Sequence, residues 1–130
     1  MERRLISSGH PLEATVGYSR AVAVGNRVIV SGTSSRMEDG GDPPADAYLQ
    51  AKRCLEIVVA ALAEAGAGPE DVVRTRIYLT SADVMDGVAR AHAELFAEVR
   101  PACTAVVVTS LLDPLWLVEI EAEAFIVGAQ

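Results

Sequence analysis

Arg100–Phe125, RPACTAVVVTSLLDPLWLVEIEAEAF, decides the fold of this chain. The stretch reads as two β-strands, Cys103–Thr109 and Leu117–Val127, joined as a hairpin by a turn around Asp113-Pro114. Side chains of a strand alternate between its two sides, so Val118, Ile120, Ala122, Ala124 and Ile126 point one way. Glu119, Glu121, Glu123 and Phe125 point the other. One face is therefore core and the other acidic. The glutamates stand ~7 Å apart, about two residue rises each, and like charges in a row need counter-charges or water. Arg74 and Arg76, which alternate with apolar residues in Val72–Leu79, are the expected counterparts. A solvated face would also hold the charges, but Phe125, Tyr78 and several valines are too apolar for a wholly wet surface. Charges mixed with aromatics suit a face on which copies of the chain pack together.

Upstream, Leu5 and Ile6 suit a short edge strand, and the runs Arg20–Val24 and Arg27–Ser31 flank Gly25-Asn26, a good hairpin turn pair. Gly32 ends the second run, and Thr33–Pro44, with Gly40, Gly41, Pro43 and Pro44, reads as a loop. Asp46 is placed to cap a helix running to about Ala65, whose apolar stripe is Ala47, Ala51, Cys54, Val58, Leu62 and Ala65. Gly66, Gly68 and Pro69 stop it. In Val72–Leu79, alternation puts Val73, Thr75, Ile77 and Leu79 on one face and Arg74, Arg76 and Tyr78 on the other. Ser81 or Asp83 caps a second helix to about Val99, with the stripe Val84, Val88, Ala91, Leu95 and Val99, and Pro101 bars continuation. Two one-sided helices and a one-sided sheet predict two layers, helices on one face of a mixed sheet, in one α+β domain over residues 1–130.

The 130 residues are 51% hydrophobic and 22% charged, ordinary for a globular domain. A net charge of −7 with no basic patch argues against nucleic acid and against a membrane surface as partners, leaving a small molecule or another protein chain. The longest apolar run, Ile57–Ala63, is too short to cross a bilayer, and MERRLISSGH lacks the apolar region of a secretory signal, so a cytoplasmic location is expected. Cys54 and Cys103 have no motif spacing and fit reduced thiols, and two histidines without ligand spacing, His10 and His92, suggest no metal site.

Four segments in order, GYSRAVAVGNRVIVSG (Gly17–Gly32), AGAGPEDVVRTRIYLT (Ala65–Thr80), RPACTAVVV (Arg100–Val108) and LVEIEAEA (Leu117–Ala124), resemble the Rid family of reactive intermediate deaminases, the YjgF-type proteins. The resemblance implies a chorismate-mutase-like fold and a homotrimer with clefts between neighbouring subunits. It implies hydrolysis of small imines and enamines to a carbonyl compound and ammonia, with no metal or organic cofactor. By position it assigns Glu119 as the catalytic carboxylate and Tyr18, Gly32, Cys103 and Ala105 as substrate-binding residues. A carboxylate in a partly desolvated cleft can activate water and protonate a developing amine, and Tyr18 can donate a hydrogen bond to substrate or water.

The chain departs from the family pattern at Cys103, in PACT, where the deaminases carry the arginine that grips a substrate carboxylate. A thiol cannot make that two-pronged contact. The expectation is a deaminase of altered specificity, acting on an imine without an α-carboxylate, with Arg20 and Arg76 as other possible cations. The alternative is a non-catalytic trimer whose cleft binds a metabolite or a partner protein. Cys54 reads as core packing, and Trp116 as a cap on either the cleft or the subunit interface.

Overall fold

The computed structural model describes residues 2–127. Its strands are β1 (Arg3–Ile6), β2 (Ala21–Val24), β3 (Arg27–Thr33), β4 (Val72–Leu79), β5 (Ala102–Val107) and β6 (Val118–Phe125), with helices α1 (Ala47–Glu64) and α2 (Met85–Phe96). They form a six-stranded mixed sheet in the order β1-β2-β3-β6-β4-β5. Both helices cover one face, and Val28, Val30, Ile77, Val118 and Ile120 meet Cys54, Val58, Leu62, Val88 and Phe96 in a common buried core.

Strand β6 sits inside the sheet, antiparallel to both β3 and β4. Its even-numbered residues Val118, Ile120, Ala122 and Ala124 are buried, while Glu119, Glu121 and Glu123 are half-exposed. Arg100–Phe125 is nevertheless not a hairpin, because β4 lies between β5 and β6 and pairs with both. Strand β5 runs parallel to β4, and a parallel pair needs a crossover, which α2 supplies. This leaves β5 as an edge strand with all six residues exposed.

Local sequence accounts for the boundaries. Gly25, at φ 59°, takes the first central position of the β2–β3 turn, a conformation that disfavours a side chain. The Asp46 carboxylate accepts from Leu49 N at 3.0 Å and caps α1. Ser81 caps a single turn, Ala82–Val84, that leads into α2. Helix α2 stops at Phe96 rather than Val99: Arg100 adopts φ 56° and donates to Phe96 O at 2.8 Å, and Pro101 follows. Phe96, outside the expected stripe, is among the largest fully buried side chains.

Strand β4 keeps its expected bounds but not its expected face at the start. The β4–β6 register slips between Val72 and Arg74, so Val72 takes the buried place and Val73 is exposed. Buried Gln50 ties the layers together: its amide nitrogen donates to Pro44 O (2.8 Å) and Leu115 O (2.9 Å), and its oxygen accepts from Leu117 N (2.8 Å). All its strong hydrogen-bonding directions but one are used, which is what allows an amide to stay in a core.

Candidate functional site

The acidic face of β6 divides into two parts. Glu121 and Glu123 belong to a lattice of charges. Tyr78 donates a hydrogen bond from its hydroxyl to Glu121. Arg76 Nη1 lies 3.9 Å from both Glu121 and Glu123. Arg27, not Arg74, supplies the second cation, 3.0 Å from Glu123 with its guanidinium over the Phe125 ring. Among the described residues Arg74 makes no ion pair, although the register sets it between Glu123 of β6 and Ala102 of β5.

Glu119 stands apart from that lattice. Its surroundings are built by the segment before β2 and by an irregularity in β3. A wide turn at Glu13–Gly17 ends with Tyr18 N donating to Glu13 O at 3.0 Å, which delivers Tyr18 and Arg20 to the start of β2. The β3–β6 register shifts between Val30 and Thr33, so Ser31 and Gly32 have no partner on β6. Ser31 Oγ donates to Ser19 O at 2.7 Å, and Arg20 Nη2 donates to Ser31 O (2.8 Å) and Gly32 O (2.6 Å). The Glu119 carboxyl group rests against Gly32: a Cβ there would lie 2.5 Å from Oε2 and 3.3 Å from the carboxyl carbon.

Tyr18, Arg20, Gly32, Trp116 and Glu119 line one cavity of about 940 Å³, walled further by the N-terminal segment and one side of α1. Trp116 thus belongs to the cavity, and the Arg36 guanidinium stands 5.7 Å from its ring centroid. Burial raises the Glu119 pKa above its ordinary value; the Arg20 charge opposes the rise and Glu121 adds to it. Burial likewise lowers the Arg20 pKa, against the pull of Tyr18, Glu13 and Glu119. A carboxyl group held more protonated than usual beside a fixed cation and a phenol can exchange a proton with a small polar molecule.

Cys103 and Ala105 are elsewhere. They lie on β5, beside Thr75 and Ile77 of β4, exposed and outside this cavity within one chain. Arg76 points to the glutamate lattice and does not line the cavity. Cys54 is buried against Val118 O, and burial pushes its thiol up to about 12, as befits a packing residue. His92 Nε2 lies 2.9 Å from Thr75 Oγ1 with its ring against Phe96, and burial lowers its pKa. Among the described residues no group of three or more His, Cys, Asp or Glu side chains could hold a metal ion, and no helix is long and apolar enough to cross a membrane. Of the two cations the sequence offered in place of the missing arginine, Arg20 lines the cavity and Arg76 does not. The signal for Arg20 was a cation directly before the apolar run Ala21–Val24 and close behind Tyr18.

Comparison with known proteins follows the same lines. Residues 8–126 match the model of the family described as endoribonuclease L-PSP. The chain is 44% identical over 122 residues to an uncharacterized protein of Streptomyces coelicolor, spanning 94% of this chain and 91% of that one. It is 36% identical over 109 residues to a RutC family protein of Pyrococcus abyssi, spanning 83% and 85%. Among solved structures it is similar to a YjgF/YER057c/UK114 family member from Mycobacterium tuberculosis, at 42% identity and a TM-score of 0.87, over 95% of this chain and 99% of that one. The YjgF gene product of E. coli follows at 28% identity and a TM-score of 0.79, over 93% and 92%. The six-stranded mixed sheet with its helices on one face is the chorismate-mutase-like α+β fold of these neighbours.

Proposed function

This chain belongs to the endoribonuclease L-PSP (YjgF/Rid) family, and from that premise we propose that it is an imine or enamine deaminase. The observation that carries the reading is the Glu119 carboxyl group, desolvated and seated on Gly32 in the cavity that Tyr18 and Arg20 share. The reaction is addition of water to a C=N carbon followed by loss of ammonia. Protonated Glu119 gives its proton to the imine nitrogen; the carboxylate so formed accepts a proton from the water that attacks the carbon. The carbinolamine then breaks its C–N bond as Glu119 returns that proton to the departing amine and takes up the hydroxyl proton, leaving a carbonyl compound, ammonia and Glu119 protonated as at the start. Desolvation brings both forms of Glu119 nearer to neutral pH, which is what a single group used twice requires. Tyr18 donates a hydrogen bond to the substrate or the attacking water.

The working form in this reading is a homotrimer acting on a small molecule in the cytoplasm. Support comes from β5, whose six residues are all exposed in a single chain, and from Ile29, Val73 and Phe125, apolar groups left outside the core. A neighbouring copy would bring Cys103 and Ala105 to the cleft beside Glu119. With a thiol in place of a guanidinium at that wall, the substrate is an imine lacking an α-carboxylate.

The test is turnover of neutral imines and of 2-aminoacrylate by the wild type, Glu119→Ala and Cys103→Arg. The expected result is loss of activity in Glu119→Ala and a gain on the anionic substrate in Cys103→Arg. Ligand-dependent thermal stabilisation without turnover of any imine would favour a binding protein instead.

A further inference from the structure

The irregularity in β3 leaves Ser31 and Gly32 without partners on β6, at the point where the Glu119 carboxyl group needs room. One nitrogen of one side chain spans that gap: Arg20 Nη2 holds both carbonyl groups, at 2.8 and 2.6 Å. The same guanidinium carries a buried Nε that has no hydrogen-bond partner among the described residues. An orphaned buried donor costs stability, and one retained in a native site calls for an explanation other than stability. Arg20 also lines the cavity that contains Glu119.

We infer that Arg20 is the positioning residue of this site: it holds the β3 irregularity open so that Glu119 seats on Gly32, and it keeps a fixed positive charge beside that carboxyl group. The inference rests on Glu119 being the group that matters in the cavity. The other charged or titratable groups around Glu119 are Glu121 along β6, Tyr78 opposite it on β4, Cys54 on α1 and Tyr18 before β2; Glu13 and Arg36 act on Arg20. Of the groups that act directly on Glu119, Arg20 is the one that favours its ionised form. Removing the charge therefore protonates Glu119 to a higher pH, whereas a lysine keeps the charge.

The experiment is a side-chain carboxyl ¹³C NMR titration of Glu119, assigned with Glu119→Gln, in the wild type, Arg20→Gln and Arg20→Lys, with circular dichroism as the folding control. The Glu119 midpoint is expected to rise by roughly 0.5–1 pH unit in Arg20→Gln and by less than half as much in Arg20→Lys. Equal shifts in the two variants, or none in either, would overturn the inference. Should Arg20→Gln not fold, the wild type decides: its Arg20 guanidinium nitrogens should give separate, slowly rotating resonances that move with the Glu119 titration, and a single averaged resonance indifferent to it would refute the role. The titration needs no turnover, so absence of deaminase activity and failure of this inference are separate results.

Discussion

Replacing Gly32 by alanine tests the site at its tightest point. The added Cβ would stand 2.5 Å from Glu119 Oε2 and 3.3 Å from its carboxyl carbon, and ordinary contact begins near 3.4 Å. The Gly32 φ lies outside the left-handed region, so alanine meets no backbone strain. The carboxyl group is the end of a flexible side chain and yields by roughly 1 Å, a misplacement that costs a reacting group about 10²-fold in rate. Stability should change little: crowding at the carboxyl opposes the ~0.4–1 kcal/mol that Gly→Ala gains by restricting the unfolded chain. The decisive measurement is a double-mutant cycle by urea denaturation. With Glu119 already alanine the crowding is gone, and Gly32→Ala should then stabilise by about 0.5 kcal/mol or more, giving a coupling of the same size between the two positions. Additive effects, or wild-type imine turnover by Gly32→Ala, would show that Glu119 does not use this seat.

Gln50→Leu leaves the Pro44 and Leu115 carbonyls and Leu117 N without their buried partner, and should cost ~2–4 kcal/mol in urea unfolding, with the midpoint moved and the slope unchanged. Burial raises the Glu119 pKa above 4.5, so its contribution to stability is fully present below pH 4.5 and is lost as pH rises through the folded value. Glu119→Gln should therefore gain on the wild type between pH 4.5 and neutrality, in melting curves taken across that range. His92 has the opposite sign: burial lowers its pKa from 6.5, so its stabilisation is present above pH 6.5 and lost as pH falls through the folded value. His92→Gln should flatten the acid side of the same profile. If the β5 edge is the contact between copies, Val107→Lys should convert a sedimenting trimer to smaller species, and a wild type that already sediments as a monomer at micromolar concentration ends the trimer proposal.

Periodicity revealed most of the architecture because most elements bury one face only. Strand β4 has its expected bounds, and the alternation of β6 matches its burial residue by residue. What it could not reveal is pairing. Cys103–Thr109 and Leu117–Val127 look like a hairpin because they are neighbours in sequence, yet β4 offers each an open edge and separates them. The errors in detail share a cause. A slip of register at Val72–Arg74 turns Val73 outward, and one at Val30–Thr33 creates the seat for Glu119, and neither disturbs the apolar pattern enough to be read from it. Arg20 could be read only as a spare cation for the same reason, since its hold on the Ser31 and Gly32 carbonyls depends on groups that regular strands would have paired.

The place of β6 also bears on how the protein comes into being. It is the last of the six strands in chain order, yet it lies between β3 and β4. As the chain leaves the ribosome, the β2–β3 hairpin and the β4–α2–β5 unit can each form from local contacts, but the strip that joins them has not been made. Long-range pairing of this kind is slow, and until it happens β3 and β4 both present open hydrogen-bonding edges. Those edges are where two unfinished copies could pair. The strand that ends this exposure also brings in Glu119, so the carboxyl group reaches its seat only when the sheet is complete.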